Sequence, residues 1–159
     1  MGVIPMDVSS EQTPRLPPRW VMHVFWRRHR GVFRITRGKV GLWRPKRRGW
    51  GALRLTATGR HTGRARSVML GYVVDGDRYV TLAMNGWGTP EPAWWLNLQA
   101  DPHAMAEAPG WHGAVTAHVA VGEERERLWA MWRDVDEGLD GYAARRPDET
   151  AVVVLEPVA

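Results

Sequence analysis

The 159-residue chain contains no cysteine. This absence excludes disulfide bonds, thiolate metal ligands and a cysteine nucleophile. The sequence also lacks a secretory leader pattern and any apolar run near the ~20 residues that a membrane-spanning helix requires. We therefore expect a cytoplasmic protein, with peripheral contact at the inner face of the cell membrane as an open alternative.

Acidic residues are absent from a long stretch of the chain. Residues 12–74 contain no Asp or Glu but 16 Lys and Arg, whereas residues 75–159 contain 15 acidic and 6 basic residues. The formal net charge of +5 therefore hides a strong segregation of charge. Such segregation predicts one face that attracts anions, which could belong to a nucleic acid, an anionic membrane or an acidic small molecule.

Two glycines and three arginines fall within one segment of the acid-free stretch. This segment, TGRHTGRAR, separates two strand-like runs. Gly59 and Gly63 can adopt positive φ and let a ligand approach the backbone. Arg60, Arg64 and Arg66 carry rigid donor forks that suit phosphate or carboxylate groups. The segment therefore indicates an anion-binding turn, with an ordinary solvated hairpin as the alternative.

Hydrophobic periodicity and turn residues predict the element order α, βββ, α, ββ, α, β. The tripeptide DGD at residues 75–77 indicates one hairpin turn, and Pro109-Gly110 indicates another. The second and third helices are predicted over AWWLNLQA and EERERLWAMWRDV. After a first strand from Leu53, the predicted strands are residues 70–74, 78–83, 103–108, 111–121 and 151–155. This order favours an α+β fold with a mainly antiparallel six-stranded barrel, flanked by helices, over a doubly wound parallel sheet.

The N-terminal region divides into two parts. Residues 1–14 have no hydrophobic period, and we expect a disordered tail there. Residues 15–159 are expected to form a single domain that opens with a basic aromatic helix over residues 19–30. Apolar residues of this helix share one stripe at helical spacing, and arginines flank it. The helix could therefore either cap the barrel or lie on anionic lipid.

Several segments match a known family when they are taken together and in order. They are LTATGRHTGRARSVML, DGDRYVTLAMNGW, PAWWLNLQADP, EERERLW and the terminal VVVLEP, and they extend over roughly residues 53–157. In this combination the chain resembles the deazaflavin-dependent nitroreductase family, a branch of the flavin and deazaflavin oxidoreductases. The resemblance implies a split β-barrel of the FMN-binding type and the cofactor F420, an 8-hydroxy-5-deazaflavin. It also implies hydride transfer to a small-molecule acceptor such as a quinone, an activated alkene or a nitro compound.

The resemblance further implies which residues bind the cofactor. The turn would hold the phosphate and the acidic tail, and residues 83–85 would line the ring. Departures from the family pattern are His61, where a lysine is usual, and Met84, where a serine is common. Tyr142 falls on one of the family's tyrosines and is the candidate catalytic proton donor. The implied cofactor-binding residues are Arg60, His61, Thr62, Gly63, Arg66, Ser67, Val68, Ala83, Met84, Asn85, Trp94, Trp95 and Asn97.

Other interpretations of the same residues stay open at this point. Trp94 and Trp95 suit a hydrophobic core as well as a cofactor wall. Residues 15–48 hold 12 basic residues interleaved with aromatics, as in nucleic-acid binders, but no recognised reader motif accompanies them, so no nucleic-acid partner is expected. An FMN-dependent reductase could use the same barrel. The six histidines have no spacing typical of a metal site, and none is expected.

Overall fold

Six antiparallel strands close into a barrel in the computed structural model of the chain. The structure describes residues 41–86, 88 and 90–159, so the predicted tail and basic aromatic helix lie outside the described residues. The strand order around the barrel is β1-β2-β3-β6-β5-β4. The closed antiparallel barrel confirms the fold class that the sequence predicted, whereas the order of strands around it was not predicted. The strands are β1 (Gly51–Thr58), β2 (Ala65–Asp75), β3 (Arg78–Leu82), β4 (His103–Ala108), β5 (Trp111–Val119) and β6 (Val152–Pro157).

Three helices accompany the barrel in the described part of the chain: α1 (Ala93–Ala100), α2 (Gly122–Arg133) and α3 (Leu139–Ala143). The first two agree with the predicted helices. Glutamates in the first turn of α2 and Arg133 in its last turn both suit the helix dipole. The sequence pattern does not predict α3, because it is only five residues long and includes Gly141. No described helix is long and apolar enough to cross a membrane.

The barrel interior follows from the alternation of side chains along each strand. Leu53 and Leu55 of β1 are fully buried, and they pair in register with Leu70 and Val68 of β2. The interior side chains of β4 are all small, which leaves volume for larger groups from other elements. Those β4 residues are Ala104, Ala106 and Ala108. Rings from α1 and β2 occupy the same core.

A second core lies outside the barrel, where α2 and α3 cover the outer face of β2, β3 and β6. Leu128, Trp132 and Leu139 of the helices pack there on the strands. Strand β6 therefore contributes to both cores. Val153 and Leu155 lie in the interior, whereas Val152 and Val154 lie in the outer core. This two-sided burial explains why β6 reads as an uninterrupted apolar run in the sequence.

The chain segments that the sequence singled out meet at one end of the barrel. At this end β1 leads through residues 59–64 into β2, and β3 continues through residues 83–92 into α1. The opposite end carries the hairpin turns with positive φ at Gly76 and Gly110. The segment before β1 also lies at that opposite end, where Trp43 forms a bridge with Ala52.

Candidate functional site

The turn between β1 and β2 is closed by its own backbone. The Gly59 N–H donates to the Arg64 carbonyl at 2.8 Å, and the Gly63 N–H donates to the Gly59 carbonyl at 2.8 Å. Gly63 has a φ of 64°, a conformation that other residues adopt only with strain. At Gly59 the constraint is space, since a Cβ there would lie 3.0 Å from the Arg64 carbonyl oxygen. The two glycines thus fix the turn for different reasons.

Asn97 of α1 holds this turn in place. Its side chain is buried, and its Oδ1 accepts hydrogen bonds from the backbone N–H and the Nη1 of Arg60, each at 3.2 Å. A buried amide needs such partners because an unpaired one is costly. The contact joins residues 37 positions apart in the chain and sets the turn against the helix.

Three arginines of the turn region have no counterion within the described part of the chain. Arg60, Arg64 and Arg66 are exposed, and among the described residues no carboxylate lies within ion-pair distance of them. The acidic half of the chain behaves differently, because arginines there pair with carboxylates, as Arg127 does with Asp75 at 2.7 Å. The turn is therefore a local excess of positive charge that a bound anion would neutralise.

Four of the implied cofactor residues belong to the barrel core. Trp94 and Trp95 of α1 are each 8% exposed, with ring centroids 6.3 Å apart, and Ala83 is fully buried. Val68 is half-buried and packs against the same cluster. Arg66 belongs to the same row of β2, because it pairs with the interior residue Ala57. The end of the barrel thus combines an apolar wall with a positively charged rim.

The other implied cofactor residues lie around this wall. His61, Thr62 and Gly63 are exposed in the turn, and Thr62 Oγ1 accepts the Arg64 N–H at 3.4 Å. Ser67 lies on the outer face of β2, where its Oγ is 2.8 Å from that of Thr56.

Residues 84 and 85 follow β3 but face different surroundings. Met84 packs against the outer core, whereas Asn85 is exposed and its Nδ2 donates to the Pro90 carbonyl at 3.2 Å. The Gly88 N–H donates to the Asn85 carbonyl at 3.0 Å. The structure thus brings Ala83 into the apolar wall and places Met84 beside the helices.

Tyr142 lies in α3, on the side of the barrel that the helices cover. It is half-buried, and the Arg145 guanidinium lies 5.9 Å from its ring centroid. Asp140 anchors α3 to α2, since it accepts the Trp129 indole N–H at 2.8 Å, and this bond together with Arg133 lowers the pKa of its carboxyl. The role of Tyr142 as a proton donor stays a prediction.

One ion pair at this end of the barrel could not be predicted from the sequence. Arg146, just after α3, is a buried cation that forms an ion pair with Glu91 and donates from Nη1 to the Ala83 carbonyl at 2.8 Å. The partners are 55 and 63 positions away in the chain, so local pattern could not connect them. Only the three-dimensional arrangement reveals this contact.

Residues 25–157 match the family model described as F420H(2)-dependent quinone reductase. This chain belongs to that family. A Mycobacterium tuberculosis protein named F420H(2)-dependent quinone reductase supports this assignment independently. The two proteins are 30% identical over 135 residues, which cover 81% of this chain and 87% of the relative.

Solved structures of other proteins share the fold of this chain. One, described as an F420-H2 dependent reductase, has a TM-score of 0.60 and 25% sequence identity, and the match covers 66% of this chain and 93% of that one. Another, described as a domain-swapped dimer, has a TM-score of 0.64 at 24% identity and covers 84% of this chain and 99% of that one. The second likeness concerns the fold alone.

Family membership makes the protein an F420H2-dependent oxidoreductase with coenzyme F420 as its cofactor. This confirms the deazaflavin cofactor that the resemblance implied and favours it over FMN. The described residues fit such a cofactor, because F420 is anionic through its phosphodiester and its glutamate tail. The exposed arginines without counterions supply matching donors, and a Cβ at Gly63 would meet no atom within 4 Å, so the backbone there is open.

The bond between Asn97 and Arg60 predicts a specific pattern of stability. Asn97→Ala should lower the free energy of unfolding by about 1 to 2 kcal/mol, because two hydrogen bonds at a buried position are lost. Asn97→Asp should lower the free energy of unfolding less than Asn97→Ala does, since a carboxylate oxygen can accept the same two bonds from Arg60, which partly offset the cost of burying its charge. Chemical denaturation with a urea series measures both values.

Gln99→Ala is the matched control, because Gln99 is exposed on the same helix. It should change the free energy of unfolding by less than about 0.5 kcal/mol. If Asn97→Ala were as stable as this control, Asn97 would not be the residue that holds the turn.

Proposed function

We propose that the protein transfers a hydride from F420H2 to a quinone, with the β1–β2 turn binding the anionic part of the cofactor. The observation that carries this proposal is the set of three exposed arginines that have no carboxylate partner among the described residues, in a turn that Asn97 holds against α1 through Arg60. A quinone is the acceptor class in the family description and in the name of the M. tuberculosis relative. Activated alkenes and nitro compounds are the remaining electron-poor acceptors.

The turn would hold the cofactor by charge. Arg60 and Arg66 offer guanidinium forks that can bind phosphate or carboxylate oxygens in bidentate fashion, and the Thr62 hydroxyl can add a neutral donor. Such contacts are charge-assisted and stronger than neutral hydrogen bonds. The acid-free sequence around the turn adds a longer-range attraction for an anionic ligand.

The apolar wall would position the reacting ring. When bound, the deazaflavin supplies the hydride chemistry, and the protein supplies orientation and exclusion of water. Val68, Ala83 and the indoles of α1 form the wall nearest the turn. An apolar environment there favours an acceptor that needs mainly close stacking against the ring.

Reduction of a quinone also consumes protons, and Tyr142 is the candidate donor. Its phenol lies on α3, and Arg146 of the same region contacts Ala83 of the wall. A phenolic hydroxyl can donate a proton to the oxygen of a reduced quinone. The hydroxyl is the group that this role requires, so Tyr142→Phe removes it without changing the ring.

The cofactor assignment predicts that Arg66→Ala weakens F420 binding. The loss of a charge-assisted contact should cost about 1.5 to 3 kcal/mol, or roughly 10- to 150-fold in affinity. Titration of the purified protein with F420, followed by tryptophan or cofactor fluorescence, measures the dissociation constant.

Arg47→Ala serves as the control, because Arg47 is also exposed but belongs to the segment at the opposite end of the barrel. Its affinity for F420 should equal that of wild type. Equal affinities of the two variants would refute the location of the site, and tighter binding of FMN than of F420 would refute the cofactor.

The apolar wall predicts a preference among acceptors. Menadione and cyclohexenone should have a kcat/KM at least about tenfold above that of a bicyclic nitroimidazole, because a polar nitro group finds few hydrogen-bond partners in such a wall. Oxidation of F420H2 in the presence of each acceptor measures this ratio. A wild-type preference for the nitroimidazole would contradict the proposal.

We also propose that the basic aromatic segment, residues 19–30, contacts an anionic membrane where a lipid-soluble quinone is available. Each basic residue near an anionic surface contributes about 1 kcal/mol, so several acting together can recruit the protein reversibly. The full chain should sediment with phosphatidylglycerol-containing vesicles at low salt and not at high salt. Deletion of residues 1–30 should abolish this binding and retain F420 affinity. Sedimentation of the truncated protein equal to that of the full chain would exclude the segment as the membrane contact.

A further inference from the structure

Arg146 is the most buried charged residue in the described part of the chain, with its side chain 1% exposed. Its two terminal nitrogens have different partners. Nη1 donates to the Ala83 carbonyl at 2.8 Å, and Nη2 forms an ion pair with Glu91. Its Nε is buried without a hydrogen-bond partner among the described residues.

Burial of this cation is expensive, and the contacts do not fully compensate. Taking a guanidinium out of water costs several kcal/mol, and hydrophobic residues of similar volume are often as stable or more stable. Glu91 is itself about one quarter exposed, so the ion pair is not completely withdrawn from solvent. General stability is therefore a weak reason for an arginine at this position.

Arg146 contacts both ends of the segment that connects β3 to α1. Ala83 directly follows β3, and its N–H also donates to the Ala151 carbonyl at 2.9 Å. Glu91 precedes Pro92, where α1 begins. One guanidinium therefore joins the end of β3 to the start of α1 and sets the distance between them.

The same two elements carry the apolar wall. Ala83 lies in the barrel core with the indoles of α1, and Met84 leads from it to the outer core. A planar guanidinium fixes both partners in direction as well as distance, which a lysine ammonium does not. A shift of either end would change the shape of the wall that faces the ring and the acceptor.

We propose that Arg146, with Glu91 as its counterion, is a positioning residue that holds Ala83 and Glu91, at the end of β3 and the start of α1, in the geometry needed for the acceptor. This inference rests on the proposed location of the cofactor and acceptor at this end of the barrel. Arg146 does not touch the reacting atoms in this role. Its effect reaches them through the Ala83 carbonyl and through the start of α1.

The test compares Arg146→Lys and Glu91→Gln with Arg125→Lys as the matched control. Arg125 also divides its guanidinium between a carboxylate, that of Glu149, and a backbone carbonyl, that of Thr150 at 2.9 Å, but it does not join the ends of residues 83–91. Glu91→Gln is the milder change, since it keeps the shape and one acceptor oxygen. It provides a folded variant if Arg146→Lys proves unstable.

Amide hydrogen exchange of the protein without ligand gives a readout independent of activity. The Met84 N–H donates to the Leu82 carbonyl at 2.9 Å and the Gly88 N–H to the Asn85 carbonyl, so both amides can report on the segment. Their exchange should accelerate at least about tenfold in Arg146→Lys and less in Glu91→Gln. The control should leave both rates unchanged.

Kinetics then separates positioning from loss of folded protein. Both variants should raise the KM for menadione by at least about fivefold, while F420 affinity by fluorescence titration stays within about twofold because the turn is intact. An unchanged exchange rate at Met84 and Gly88, or a fall in kcat alone in proportion to unfolded protein, would overturn the inference. Absence of F420H2-dependent menadione reduction by wild type would instead refute the proposed function, and the exchange measurement would still stand.

Discussion

Closure of the barrel is the constraint on which the rest of the structure depends. The β1–β4 and β3–β6 ladders pair residues far apart in the chain, such as Arg54 with Glu107 and Tyr79 with Leu155. A closed sheet leaves no free edge, and it fixes which connections emerge at each end. The charged turn, the segment after β3 and α1 emerge together at one end. A cofactor with a charged tail and a flat aromatic ring would suit that combination.

The distribution of ion pairs explains why the turn is available to a ligand. In the acidic half, Asp75 accepts from both Arg78 and Arg127, and this lowers the pKa of its carboxyl to about 2. Those arginines are occupied in holding the β2–β3 hairpin to α2. No acidic residue near the turn in sequence competes for its arginines, and their mutual repulsion is relieved when an anion binds. Charge segregation along the chain thus separates the arginines that pair with carboxylates from the turn arginines that we propose bind the cofactor.

The sequence predicted the elements whose signals are local. The DGD turn, the helix AWWLNLQA and the succession of six strands along the chain follow from turn residues and periodicity, and the structure confirms them. Strand β2 begins at Ala65, five residues before the predicted start, because residues 65–67 are exposed and show no apolar alternation. The limits of β5 and β6 differ from the prediction by at most two residues, as is usual at strand ends. Long-range contacts could not be predicted. The resemblance named both Asn97 and Arg60 as cofactor residues but not the hydrogen bonds between them. Arg146 carries no local sign that it is buried, because burial is decided by barrel closure.

A structure of the protein bound to F420 tests the central claim most directly. The account predicts phosphate or carboxylate oxygens of the cofactor within hydrogen-bond distance of Arg60 and Arg66, with the ring against the wall formed by Ala83 and α1. Binding of the cofactor at the opposite end of the barrel, near Trp43 and the segment before β1, would contradict this account.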